Sequence, residues 1–231
     1  MKIIVTIPAY NEEKTIGKII NEIKTFMKNY NYKILVVNDG STDNTKKIAH
    51  DNGVIVYSNP HNLGLAETFK VEIKKCLELG ADVIVHTDAD GQYPAKYIPK
   101  LIDKINSGYD LVLGSRFIYR NKYLPFMKRF GNHAFSLVFS TIMKKRFTDT
   151  TTGFRAFTKD VAQNINFINN FTYTQEQIIR AYKMKYKITE IPIEGRITRE
   201  SKLFRNPIEY AIKAWVNIFR IYRDFEPLKF F

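Results

Sequence analysis

The first half of the chain alternates short apolar runs with segments of helical period, and this constrains the fold more than any other feature. Lys2–Ile7 reads as a buried strand, and Glu13–Met27 as a helix with Ile16, Ile19, Ile20 and Ile23 on one stripe. Ile34–Val37, Val54–Tyr57, Asp82–His86 and Leu111–Gly114 read as further strands. Between them fall a helix capped near Ser41 or Thr42, a helix over Leu63–Leu79 closed by Gly80, and a helix over Pro94–Asn106 with proline in its first turn. Strands apolar throughout belong to a sheet covered on both faces, so the expected class is α/β with a mostly parallel sheet flanked by helices.

The second half is less regular. Phe126–Met143 looks helical, with the apolar stretch AFSLVFSTIM between Lys128–Arg129 and Lys144–Arg146. Gly153–Thr158 and Lys187–Pro192 look like strands, and Thr174–Lys183 like a helix. Pro207–Arg223 is expected to be the last helix, with Ile208, Ile212, Trp215, Phe219 and Tyr222 at helical spacing. No repeat or linker divides the chain.

At 231 residues the chain is long enough to bury a core without a disulfide or metal staple. Its one cysteine, Cys76, excludes an internal disulfide framework and fits a reducing compartment. No window of 18 apolar residues suits a spanning helix, and MKIIVTIPAYNEE turns polar too early for a secretory signal. Residues 1–115 carry 14 lysines and no arginine against 14 acids. Residues 116–231 carry 22 basic residues against 9 acids, and so hold the whole net charge of +13. That asymmetry suits either a polyanionic partner for the second half or a generally basic surface.

In parallel sheets ligands sit beyond the carboxyl ends of the strands. Four polar loops follow apolar strands here: PAYNEE (8–13), NDGSTD (38–43), NPHNLGLAE (59–67) and TDADGQYP (87–94). All four should crowd one sheet edge. Asp88 and Asp90, one residue apart at a strand end, can offer hard oxygen ligands to Mg²⁺ or Mn²⁺, with Gln92 adding an amide oxygen or orienting water. The same tripeptide also suits an acidic turn that caps the next helix. Asp39 can reach a base or ribose hydroxyl, or close an Asx turn before Gly40. Neither G-x-G-x-x-G nor G-x-x-x-x-G-K-[ST] occurs, which argues against a dinucleotide dehydrogenase and a phosphate-loop NTPase. Four scattered histidines and one cysteine give zinc no support.

IPAYNEEKTI, VVNDGSTDNT, NLGLAET, TDADGQYP, LVLGSRF and TGFRAF, in this order, resemble family-2 glycosyltransferases of the GT-A (Rossmann-like) fold. The resemblance runs from about Ile3 to Leu203. GSRF (114–117), TDTTTGFRAF (148–157) and RESKL (199–203) are most similar to the dolichyl-phosphate mannose synthase branch, whose members transfer a sugar with inversion from a nucleotide diphosphate to a polyprenyl phosphate. It implies a GT-A domain over 1–203, with a nucleotide-sugar half (1–115) and an acceptor half (116–203); residues 204–231 are expected to form an amphipathic C-terminal helix, with no transmembrane segment in the sequence.

The same resemblance implies a nucleotide-sugar pocket at Pro8, Ala9, Tyr10, Glu12 and Asp39, with Asp88, Ala89, Asp90 and Gln92 around a Mg²⁺ or Mn²⁺ ion. Asp88 would face the nucleotide and Asp90 would be the direct ligand. Arg116 and Arg129 would meet the acceptor phosphate, because a planar guanidinium holds phosphate oxygens in a fixed pose. Arg199 and Lys202 would close over the diphosphate. Glu176 lies near the position of the base in hydroxyl-accepting relatives and is the reserve candidate. An acceptor phosphate is already anionic, so alignment and charge neutralisation can carry the reaction without a strong base.

Two features depart from the pattern: GlyGlnTyrPro follows the metal-loop aspartates, and Glu200 stands where a glycine is expected. The chain also ends without the transmembrane helices that some relatives append, so it would reach its lipid acceptor from the cytoplasmic face as a peripheral protein. The helices at 126–143 and 207–223, with basic ends, could lie on an anionic membrane surface, or bury their apolar faces in the core or in a dimer. No nucleic-acid-binding motif occurs. The expected donor is GDP-mannose or a UDP-hexose. The alternatives are a family-2 enzyme acting on a glycan, protein or other hydroxyl, and a non-catalytic binder of nucleotide-sugars or polyanions.

Overall fold

The computed structural model describes residues 1–118, 126–167, 173–196 and 207–223, with the side chains of 126–134 and 207–214 outside the description. Seven strands form one sheet: β1 (Ile3–Ala9), β2 (Tyr32–Asn38), β3 (Ile55–Ser58), β4 (Val83–His86), β5 (Leu111–Ser115), β6 (Arg155–Thr158) and β7 (Ile188–Pro192), in the order β3-β2-β1-β4-β6-β5-β7. All neighbours are parallel except β6, which runs antiparallel to β4 and β5.

Alternation along the strands sorts two cores. Ile3, Val5, Ile7, Ile34 and Val36 pack with α1 (Ile16–Met27), α2 (Thr45–Asp51) and α4 (Ile98–Asn106). Ile4, Leu35, Val37, Ile84 and Leu113 pack with α3 (Leu65–Glu78), α5 (Phe126–Met143), α6 (Lys159–Asn164), α7 (Tyr173–Lys183) and α8 (Pro207–Arg223). Ile20 and Phe69 are fully buried on opposite faces, and truncating either to alanine should cost about 2–5 kcal/mol.

The register positions the site. Ala9 pairs with Asn38 and Asn38 with Ser58, so β1, β2 and β3 end level with one another. Because β6 is reversed, its first residue, Arg155, pairs with His86 at the end of β4. Residues 148–154 are therefore delivered to the edge where the parallel strands terminate.

Two local expectations shift, and one short helix is added. The helix expected from Ser41 or Thr42 starts at Thr45, because Ser41 Oγ instead accepts the Asn11 N–H (3.0 Å) and the Thr42 N–H goes to Asn11 Oδ1 (2.9 Å). Pro94–Asn106 divides into a 3₁₀ turn (Ala95–Tyr97) and α4, with Pro99 in the first turn, where its missing N–H costs little. The short α6, absent from the elements that the sequence pattern predicts, is capped by Thr158, whose side chain accepts from the Val161 N–H.

Candidate active site

The four polar loops do meet along one edge, laced by side chains. Glu12 N–H donates to Thr45 Oγ1 (2.7 Å), and Thr15 Oγ1 donates to the Ala89 carbonyl (2.7 Å), which ties the start of α1 to the aspartate loop. Pro8 and Ala9 form the end of β1, where the Ala9 carbonyl accepts the Asp39 N–H (2.8 Å), while Tyr10 is exposed. Asp39 is buried and its carboxylate accepts from Asn59 Nδ2 (2.8 Å), Leu63 N–H (2.9 Å) and Gly64 N–H (3.1 Å). Of the two readings open in the sequence, an Asx turn and a ligand contact, the structure shows Asp39 reaching across to hold the loop after β3. Gly40 sits at φ +69°, and a Cβ there would lie 2.5 Å from the His61 carbonyl carbon, so only glycine fits this approach.

Asp88 and Asp90 follow β4. Asp90 Oδ1 accepts the Gln92 N–H (2.8 Å), closing a turn through Gly91 at φ +75°. Asp88 stands over Gly153: a Cβ on that glycine would be 2.7 Å from Asp88 Oδ1 and 3.0 Å from Oδ2. Burial pushes the Asp88 carboxyl up to about 6; Asp90 and Glu72 push the same way, and His86 and Arg116 pull against them. Ionised Asp88 is thus only partly compensated by its neighbours.

Arg116, which the resemblance implies for the acceptor phosphate, lies behind this loop with its fork turned to Asp149. Its Nε and Nη2 bind the buried Asp149 carboxylate (2.7 and 2.9 Å), Nη2 also reaches Thr151 Oγ1 (3.0 Å), and Nη1 donates to Gln92 Oε1 (3.1 Å). Four of its five N–H groups are so engaged. Burial opposes the Arg116 charge, but the Asp149 and Tyr93 oxygens outweigh it and hold the guanidinium firmly protonated. Gln92 Oε1, expected to face a metal, here accepts from the arginine.

Tyr93 stacks on Phe154 (5.4 Å between ring centroids) and accepts the Gly153 N–H on its hydroxyl (3.1 Å). Arg155 is fully buried and donates to the Thr152 carbonyl, to the Thr174 carbonyl (3.1 Å) and to Gln177 Oε1 (2.8 Å), joining the edge segment to α7. Glu176, on α7, is buried in an ion pair with Arg180 (2.7 Å). A cavity of about 600 Å³ opens beside Asp90, lined among others by Asn11, Glu12, Lys14, Lys18, Asp43 and Arg196. Arg196 is held over it by a bidentate bridge to Glu22 (2.9 Å for each bond).

The edge therefore assembles Pro8, Ala9, Glu12, Asp39, Asp88, Ala89, Asp90, Gln92 and Arg116. The Arg129 side chain, Arg199 and Lys202 lie outside the described residues. Asp149, Tyr93 and Gly153 join the edge without being expected there, although they stand inside the motifs TDADGQYP and TDTTTGFRAF.

Among the described residues no group of three or more His, Cys, Asp or Glu side chains forms a metal cage. The donor set still fits a hard divalent cation: two carboxylates at one strand end, with no hydrogen bond into the Asp88 carboxylate among the described residues, leave further positions for ligand oxygens, as Mg²⁺ and Mn²⁺ sites commonly do.

This edge chemistry coincides with a family match: Glycosyl transferase family 2 covers residues 4–165. The chain belongs to that family. This glycosyltransferase is 35% identical over 193 residues to the dolichyl-phosphate hexose transferase of Haloferax volcanii, covering 83% of this chain and 82% of the relative. It is 33% identical to the UDP-N-acetylglucosamine–dolichyl-phosphate N-acetylglucosaminyltransferase of Methanococcus voltae (84% and 86% covered), and 31% identical to the dolichol-phosphate mannosyltransferase of Pyrococcus furiosus (88% and 59%). Its fold is of the GT-A type. Glucosyl-3-phosphoglycerate synthase of Mycobacterium tuberculosis, solved with Mn²⁺, UDP and phosphoglyceric acid, superposes with a TM-score of 0.75 at 18% identity, covering 95% of this chain and 76% of that one.

Proposed function

We propose that this glycosyltransferase moves a sugar from a nucleotide-diphosphate donor to a polyprenyl (dolichyl-type) phosphate at the cytoplasmic face of a membrane. The observation that carries the reading is the Asp88–Asp90 pair held at the sheet edge beside Arg116, in a chain whose relatives are named for transfer to dolichyl phosphate. The donor would lie along Pro8, Ala9, Tyr10, Glu12 and Asp39, with GDP-mannose favoured and a UDP-hexose as the other candidate. The relatives' names divide between mannose, hexose and N-acetylglucosamine.

Asp88 and Asp90 would hold Mg²⁺ or Mn²⁺, with Gln92 next to it. The chemistry such an ion supplies is neutralisation of the diphosphate leaving group. An acceptor phosphate oxygen attacks the anomeric carbon opposite the diphosphate; the new C–O bond forms as the old one breaks, and the configuration inverts. The attacking oxygen is already anionic, so the protein's task is orientation. Arg116, by fixing Asp149 and Gln92, would shape the acceptor side and offer its remaining Nη1 N–H to the phosphate; Arg129, Arg199 and Lys202 would add cations. Glu176, paired with Arg180, has a structural task that does not require it to be a base.

Attachment would use α5 and α8, which pack through Phe135 and Trp215 (ring centroids 4.6 Å apart). Leu137, Val138, Val216 and Phe219 are exposed there, with Lys144, Arg146, Arg220 and Arg223 exposed on or just beyond the same helices. Among the described residues no helix is long and apolar enough to cross a membrane. Basic residues near anionic lipid contribute roughly 1 kcal/mol each, enough together for reversible binding.

Two substitutions test the reading. Asp90→Ala should abolish metal-dependent turnover in a folded protein. Glu176→Gln should spare most transfer to a phosphate; loss of all transfer would favour a hydroxyl acceptor.

A further inference from the structure

We propose that Glu72 and His86 form a positioning pair for Asp88, acting through the peptide of Gly153; this rests on Asp88 being a metal-binding carboxylate. Both side chains are fully buried between the sheet and α3, with His86 Nε2 3.2 Å from Glu72 Oε2. On its other side His86 Nδ1 lies 2.7 Å from the Gly153 carbonyl oxygen. A carbonyl only accepts, so Nδ1 carries a proton. Nε2 and both Glu72 oxygens are buried and make no hydrogen bond to any other group among the described residues, so across 3.2 Å each has the other to face.

The imidazole cannot turn freely. Phe69 meets it edge-on at 5.0 Å and Tyr173 lies 6.0 Å away. Gly153 is consequently gripped at both ends: its carbonyl by His86 and its N–H by Tyr93 Oη at 3.1 Å. Asp88 rests on the α-carbon of this residue, with room for nothing larger than hydrogen between them. A shift of a few tenths of an ångström in Gly153 is therefore transmitted to the carboxylate.

A buried Glu–His pair has no advantage over two apolar side chains for stability alone. Glu72 also lies beside Thr6 of β1, while the hydrogen bond of His86 leads to the wall behind Asp88. Groups that orient a metal ligand from behind typically change metal affinity 10–100-fold when removed. The chain of contacts runs from Glu72 to His86, to Gly153 and then to Asp88, so the pair are positioning residues.

The test is Mn²⁺ titration, followed by the EPR signal of free Mn²⁺ with UDP or GDP present, alongside thermal unfolding. Glu72→Met with His86→Phe removes the pair without leaving a lone buried charge. We expect Mn²⁺ binding at least tenfold weaker while the unfolding midpoint is kept or raised. Wild-type Mn²⁺ affinity in that folded variant overturns the proposal. If the double variant does not fold, His86→Asn and His86→Leu decide. Asn keeps an N–H for the Gly153 carbonyl and should bind Mn²⁺ more tightly than Leu; equal affinities overturn the proposal. A wild-type protein that binds no Mn²⁺ overturns both this proposal and the metal reading on which it rests.

Discussion

Arg116 grips Asp149 through two parallel bonds, Nε to Oδ2 at 2.7 Å and Nη2 to Oδ1 at 2.9 Å, with the carboxylate out of contact with water. The pair joins the end of β5 to the segment that leads into β6, and Gln92 extends it to the aspartate loop. Breaking a buried pair from one side leaves an uncompensated charge, so Arg116→Ala should lower stability by about 3–5 kcal/mol. Arg116→Lys should recover little of this, because an ammonium cannot reproduce the fork. Urea unfolding of the single variants and of Arg116→Met with Asp149→Leu checks the account: the double variant should be more stable than either single one.

The Asp88 carboxyl, pushed up to about 6 from an ordinary value near 4, is less easily ionised in the folded metal-free protein than in the unfolded chain. The penalty is fully present above about pH 6 and vanishes as the pH falls below about 4, where both states are protonated. Asp88→Asn should therefore stabilise the metal-free protein near pH 8 by roughly 1–3 kcal/mol. It should lose that advantage toward pH 4 and abolish sugar transfer throughout. Thermal melts across that range read the sign directly.

Much of this was legible from the residues. Strands apolar on both faces made the α/β class readable, and four polar loops after four such strands located the edge. The reversal of β6 was not legible, since a four-residue strand carries no direction in its pattern, yet it alone brings Gly153 to Asp88. The Arg116–Asp149 pair is a contact 33 residues long, and no local spacing announces it. One overlooked signal was present: Glu72 interrupts the apolar stripe of α3, between Phe69, Ile73 and Cys76. An acid on a core-facing stripe needs a partner, and His86 is that partner.

Gly40→Ala faces two obstacles, a φ of +69° and backbone atoms of residues 61 and 62 within 2.8 Å of the new Cβ. We expect a stability loss of about 2 kcal/mol or more. The loop that Asp39 anchors should also be displaced, so KM for the nucleotide-sugar should rise more than kcat falls.

Burial pushes the Cys76 thiol well up, and Glu72 adds to the effect. The folded protein should resist a thiol-reactive disulfide reagent near pH 8 and react fully once denatured, because only the thiolate attacks. Rapid modification of the native protein would contradict the packing of α3 against the sheet.

The central claim is transfer to a polyprenyl phosphate. The most direct measurement presents GDP-mannose and UDP-hexoses, one at a time, with dolichyl phosphate in detergent and Mn²⁺ or Mg²⁺, and reads lipid-linked sugar by mass. The account predicts one sugar-phosphate-lipid product, formed from a single donor and lost in EDTA. Transfer to a hydroxyl acceptor, with no lipid product from any donor, would contradict it.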